Sequence, residues 1–146
     1  MTRRGVWDIQ DVRDKLLAGD PWLRFNNLYT GGYNWYGTLG QNDQSGTGFA
    51  IGPVYIPTTA DTRNWAQAKA NAYASAAITE DGNLYTWGLG QWGALGLNSP
   101  YYTKKSEPVQ VPGTTWDSVG NSASYNFLAT KTDGSMWFWG SSSAPT

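Results

Sequence analysis

Two stretches of this chain are near-copies of one another. LYTGGYNWYGTLGQ runs from Leu28 to Gln41, and LYTWGLGQWGALGL runs from Leu84 to Leu97, an offset of 56 residues. Leu, Tyr and Thr open both, and Gly-x-Leu-Gly closes both. A third opening, MWFWG, begins at Met136, 52 residues further on. A period in the fifties constrains the fold more than any other feature here. Each copy is one small supersecondary unit that cannot bury both of its own faces, so neighbouring copies must stack and share a core.

The content of the unit points to strands. The runs NLYTWG and SMWFWG alternate and are rich in aromatic and β-branched residues, which suit a pleated surface. Each follows an acidic-glycine turn, EDGN at Glu80 to Asn83 and TDGS at Thr132 to Ser135. Asp-Gly between two apolar runs is the strongest short hairpin signal. The runs before the turns also align: Tyr73 with Tyr125 and Gly82 with Gly134, both 52 apart. Proline-containing short strands recur as GPVYIP, Gly52 to Pro57, and EPVQVP, Glu107 to Pro112, with Pro108 and Pro112 expected at the ends of an edge strand. Trp65 and Trp116 follow them. The stretches QNDQSGTGFAIGP and NSPYYTKKSEP read as surface loops. The full unit fits a four-stranded propeller blade. Glycines supply positive φ or close backbone approach where the chain leaves a strand, and the aromatics fill the wedge between blades.

The first segment is different. In VWDIQDVRDKLLAG the apolar Val6, Ile9, Val12 and Leu16 share one helical face. Asp8 and Asp11 lie early, and Arg13 and Lys15 late, as the helix dipole favours. Asp11 and Lys15 form a four-residue pair, and Gly19 with Pro21 ends the run. A short amphipathic helix is expected within an N-terminal arm over residues 1–24. A repeat domain then spans 25–146, with units at about 28–83 and 84–135 and a partial third strand at 136–140. The expected class is therefore all-β: about two propeller-type four-stranded blades, an incomplete propeller, with one helix attached.

Composition removes several kinds of chemistry. The chain of 146 residues has a net charge of −1, without the basic excess a nucleic-acid surface needs; Arg3 and Arg4 read as a solvated terminus. It has no cysteine and no histidine, so thiol and His-based triads and His-containing metal sites are not available. No window approaches the roughly 18 apolar residues of a membrane helix, and the N-terminus has no apolar signal core. Carboxylates could still serve a glycosidase, but Asp81 and Asp133 are accounted for by their turns. Asp43, beside Gln41 and Asn42, fits no calcium-loop spacing. The glycines of Gly31 to Gly37 lack the Gly-Lys-Ser that a phosphate loop requires. No catalytic residue, cofactor or metal is expected. Tyr33, Trp35, Tyr36, Trp92, Tyr101 and Tyr102 remain as aromatics able to stack on sugar rings or to pack between blades.

These residues resemble the regulator of chromosome condensation repeat family. Leu84, Tyr85, Trp87, Gly88, Gly93, Leu95 and Gly96 match its core motif. Pro108 and Val109 match its middle strand, and Asp133 and Gly134 its closing turn. Leu28, Tyr29, Gly32, Asn34, Gly37, Leu39 and Gly40 match in the first copy, where Gly31 replaces the usual tryptophan. The resemblance covers about residues 25 to 140 and implies a propeller of about seven blades in the family. It leaves function open, because exchange factors, scaffolds and inhibitors share this fold. Exchange activity is disfavoured by the small number of blades. With so few blades, self-association or a terminal cap is expected to cover the open faces.

A second resemblance, carried by Arg4, Gly5, Val6, Trp7 and Trp22, is to the openings of small virion proteins of tailed phages. It implies a structural part of a tail, baseplate, fibre or capsid decoration, located in the virion. Arg4, Val6, Trp7, Ile9, Val12 and Leu16 would then be docking residues toward other virion proteins. Expected partners are copies of the chain itself, virion proteins and, through the aromatic loops, a host-surface glycan.

Overall fold

The computed structural model describes residues 27–43, 49–56, 65–122 and 125–140. The expected helix and the docking residues Arg4, Val6, Trp7, Ile9, Val12 and Leu16 lie outside them. Among the described residues the chain is all-β, with nine strands in three antiparallel sheets. The first sheet pairs β1 (Tyr29–Tyr33) with β2 (Phe49–Tyr55). The second is a complete four-stranded meander, β3 (Trp65–Ala70), β4 (Ala74–Thr79), β5 (Leu84–Leu89) and β6 (Lys104–Gln110). The third contains β7 (Trp116–Ser122), β8 (Asn126–Lys131) and β9 (Met136–Trp139).

Both Asp-Gly hairpins form. They join β4 to β5 and β8 to β9, with Ala77 opposite Tyr85 and Ala129 opposite Trp137. In the second turn Ser135 N–H donates to Asp133 Oδ1 at 2.8 Å. The Ser135 hydroxyl and that N–H hold the Asp133 carboxyl below the usual carboxylate range.

The sheets are out of phase with the sequence repeat. The second sheet runs across the boundary between the two units, taking β3 and β4 from the first and β5 and β6 from the second. Tight turns join sequence neighbours at that boundary, so hydrogen bonding regroups the strands. One four-stranded blade results, flanked by two strands of one blade and three of the next. The prolines also differ from expectation. Pro108 lies inside β6, not at its end. It is tolerated there because β6 is an edge strand and the β5–β6 register shifts between Thr86 and Gly88, where no ladder donor is required.

Two cores lie between the sheets. Ile56, Trp65, Ala77, Tyr85 and Trp87 fill the space between the first and second sheets, with Leu28 against them. Ala74, Ala76, Ile78, Leu84, Leu95, Val111, Trp116, Val119, Phe127 and Ala129 fill the space between the second and third, joined by Leu97 and Trp139. Strands β4 and β5 are buried along their whole length because they face a sheet on each side.

The repeated residues fasten one blade to the next. Trp87 Nε1–H donates to the Thr38 carbonyl at 3.0 Å, and Trp139 Nε1–H donates to the Ala94 carbonyl at 3.0 Å. Both acceptors lie within a Gly-x-Leu-Gly turn of the preceding blade. The turn is itself held by a threonine on its own blade. Thr30 Oγ1 donates to the Leu39 carbonyl, and Thr86 Oγ1 to the Leu95 carbonyl, each at 2.7 Å. The last glycine of the turn is needed for space as well as for its positive φ. A Cβ on Gly40 would lie 3.1 Å from Trp87 Nε1, and one on Gly96 would lie 3.1 Å from the Trp139 ring. This is why the sequence pairs Trp-Gly in one unit with Gly-x-Leu-Gly in the unit before it.

Candidate functional site

Strand direction sorts the loops onto two ends of the stack. The Asp-Gly turns lie at one end. The β1–β2 and β5–β6 loops and the β3–β4 and β7–β8 turns lie at the other, and this end carries all six aromatics singled out by sequence. Five are well exposed: Tyr33, Trp35, Trp92, Tyr101 and Tyr102. Tyr36 is half-buried, with Lys104 Nζ 5.3 Å from its ring centroid, a cation–π distance.

The structure divides these residues into three groups. Trp92, Tyr101 and Tyr102 form one cluster on the β5–β6 loop. Trp92 meets Tyr101 edge-on at 5.3 Å, and Tyr101 meets Tyr102 at 4.7 Å. Gln91 Nε2 donates to both tyrosine hydroxyls, at 3.1 and 3.2 Å, so the rings are fixed by a polar residue and not by a core. Trp92 and Tyr102 also sit at φ +57° and +66°. A bulky residue in that region is strained, and such strain gathers at binding and switch sites. Tyr33 and Trp35 form a second pair at 5.4 Å.

The third group joins Tyr36 to two residues outside the sequence-derived set. Tyr36 meets Tyr73 at 5.7 Å, and Tyr73 stacks on Tyr125 at 4.6 Å with the rings 4° from parallel. The hydrogen bond that its hydroxyl donates to Tyr73, helped by desolvation and by the neighbouring Tyr73, Tyr36 and Tyr102 phenols, pushes the Tyr125 phenol up to about 12. Tyr73 and Tyr125 occupy equivalent positions in successive units, so their offset of 52 was the signal that could have placed them together. A discontinuous row of tyrosines and tryptophans thus crosses all three sheets at one end. Planar rings with hydroxyl, amide and ammonium groups beside them can stack on a sugar face and bond its hydroxyls.

Among the described residues no three Asp or Glu side chains come together as a metal-binding group, and no helix is long and apolar enough to cross a membrane.

A four-stranded meander stacked face to face between two further antiparallel sheets, and fastened turn to strand, is a blade of a β-propeller. Residues 81–123 match the Regulator of chromosome condensation (RCC1) repeat. A 70-residue stretch is 39% identical to the E3 ubiquitin-protein ligase HERC2 of Homo sapiens and of Mus musculus, covering 45% of this chain and 1% of that protein. Solved structures share the fold. Yeast RCC1 (Prp20) bound to Kap60 superposes with a TM-score of 0.67 at 21% identity, over 79% of this chain and 28% of that one. Prp20p from Saccharomyces cerevisiae, described with its binding to Gsp1p and histones, gives 0.67 at 23%, over 78% of this chain and 29% of that one. Human WBSCR16 gives 0.67 at 23%, over 79% and 29%. The chain thus spans under a third of each of these structures.

Proposed function

We propose that this protein is a non-enzymatic binding module whose propeller blades present the aromatic end to a carbohydrate. The observation that carries this reading is the Trp92–Tyr101–Tyr102 cluster. It is exposed, tied by Gln91, and built on two strained backbone positions. Sugar rings stack on flat aromatic faces, and the Tyr101 and Tyr102 hydroxyls, which accept from Gln91, are left to donate to their hydroxyls. A glycan array probed with the purified protein should give hits. Titrating a hit should quench tryptophan fluorescence, and Trp92→Ala should weaken binding at least about tenfold with an unchanged circular dichroism spectrum. An array without hits, or a Trp92→Ala variant that binds as well as the parent, would remove the reading.

We further propose, from the sequence of residues 4–22, that the module serves in a tailed-phage virion as part of a tail, baseplate, fibre or capsid decoration. Arg4, Val6, Trp7, Ile9, Val12 and Leu16 would attach it to neighbouring virion proteins, and the aromatic end would face the host surface. Mass spectrometry of purified particles should detect the chain at fixed stoichiometry. Its presence only in the unassembled fraction would oppose a virion role.

A further inference from the structure

The chain has no cysteine, so no disulfide can form within it. It does hold two tyrosines of successive blades in contact. Tyr73 lies in the β3–β4 turn, and Tyr125 lies 52 positions later in the β7–β8 turn. Their rings stack at 4.6 Å, only 4° from parallel, and the Tyr125 hydroxyl donates to that of Tyr73. Both side chains are half-buried.

The backbone fixes this overlap. The Asn71 side chain holds the first turn, accepting from Tyr73 N–H at 3.0 Å and from Ala74 N–H at 2.9 Å. The Tyr73 carbonyl accepts from Leu89 N–H at 2.8 Å. A Cβ at Gly88 would run into that carbonyl, and one at Gly140 would run into the carbonyl of Tyr125. Gly88 and Gly140 are the Trp-Gly glycines of two units, also 52 apart. The repeat thus seats both turns alike against a neighbouring strand, and the stacking of blades lays one ring over the other. Parallel rings whose hydroxyls meet also bring together the ortho carbons that flank those hydroxyls. Tyr101 and Tyr102 are as close, at 4.7 Å, but perpendicular. There one ring presents its edge to the face of the other, and Gln91 donates to both hydroxyls.

We propose that Tyr73 and Tyr125 form an oxidative cross-linking site, at which a small peroxide acting one electron at a time joins them through an ortho carbon of each ring. Loss of one electron and the phenolic proton from each side chain gives two phenoxyl radicals. These combine into one carbon–carbon bond, and the two ortho hydrogens move to the oxygens as the rings regain aromaticity. Two electrons and two protons leave in all. The O–O bond of one peroxide takes up both electrons, so hydrogen peroxide becomes two waters. Holding the partners in contact makes the coupling unimolecular, and so favours it over coupling between molecules. The product is a covalent staple between the second and third sheets. It does not involve Trp92 and is independent of the carbohydrate reading.

The test is photo-oxidation of the dilute protein with tris(bipyridine)ruthenium and persulfate, a small peroxide. A monomeric product lighter by two hydrogen atoms should appear, with the blue fluorescence of a biphenol. Proteolysis and mass spectrometry should map the new bond to Tyr73 and Tyr125. Tyr125→Phe and Tyr73→Phe should each lower the yield at least about tenfold, because the remaining phenols lack a partner held in this geometry. Tyr101→Phe should leave the yield unchanged. The cross-linked fraction should unfold in urea at a midpoint about 1–2 M above the parent, since a tie across so long a loop restricts the unfolded chain. No coupled product, a bond mapped to Tyr101 and Tyr102 or to a second molecule, or a full yield from Tyr125→Phe would overturn the proposal. So would a cross-linked fraction that unfolds at the parent's midpoint.

Discussion

Two glycines of one loop should respond very differently to the same methyl group. Gly93 and Gly96 open and close the second Gly-x-Leu-Gly turn, at φ +74° and +64°. Alanine at either position must adopt the left-handed region, which costs about 1–2 kcal/mol. At Gly93 the added Cβ meets nothing within 4 Å, whereas at Gly96 it lies 3.1 Å from Trp139 Cδ1 and Nε1. That ring cannot retreat freely, because its N–H is bonded to the Ala94 carbonyl at 3.0 Å. Overpacking of this kind adds about 1–3 kcal/mol. Gly93→Ala should therefore lose about 1–2 kcal/mol and Gly96→Ala about 2–5, the excess arising from contact with the next blade. With a urea m-value of about 2 kcal/mol/M, the two midpoints should differ by about 0.5–1.5 M. The variants share a loop, a turn geometry and a substitution, so each controls for the other. Equal midpoints would show that Trp139 does not rest on Gly96 and would refute the fastening.

Other outcomes follow from the same geometry. Thr86→Val keeps the shape of a buried side chain and removes its bond to the Leu95 carbonyl; it should cost about 1–3 kcal/mol in chemical denaturation, as expected when a buried carbonyl loses its donor. Trp87→Phe should be destabilising by at least as much, since it removes the donor to Thr38 and leaves a void beside a fully buried position. The Tyr125 phenol, pushed up to about 12 by its bond with Tyr73, keeps its proton in the folded state after the unfolded chain has lost it near 10. Stability tied to that bond is thus full below about pH 10 and declines from there toward 12. Ultraviolet titration should show a late phenol from Tyr125, and Tyr73→Phe should bring it back toward the ordinary range.

Much of this architecture was legible because the repeat writes each rule more than once. Asp81-Gly82 and Asp133-Gly134 announced the two hairpins, and both form. Trp-Gly and Gly-x-Leu-Gly announced close approach, although sequence could not show that the tryptophan of one unit rests on the glycine of the unit before. That contact joins residues 47 positions apart, Gly40 and Trp87, which no local pattern encodes. The grouping of strands into sheets was hidden for a related reason. A repeat can be counted from any point, and only hydrogen bonding decides where a blade begins. Pro108 misled because edge position and register shift, the features that tolerate it, belong to pairing and not to the strand alone. In the candidate site, exposure of five aromatics was readable from their polar loops, whereas the Tyr73–Tyr125 stack needed two turns to be brought side by side.

Tryptophan indoles fasten each blade to its predecessor. Hydrogen exchange of the indole N–H groups, followed by ¹⁵N-resolved NMR, tests this most directly. Trp87 and Trp139, bonded to the Thr38 and Ala94 carbonyls, should exchange far more slowly than Trp35 and Trp92, whose rings are exposed. Exchange of all four at one rate would contradict it.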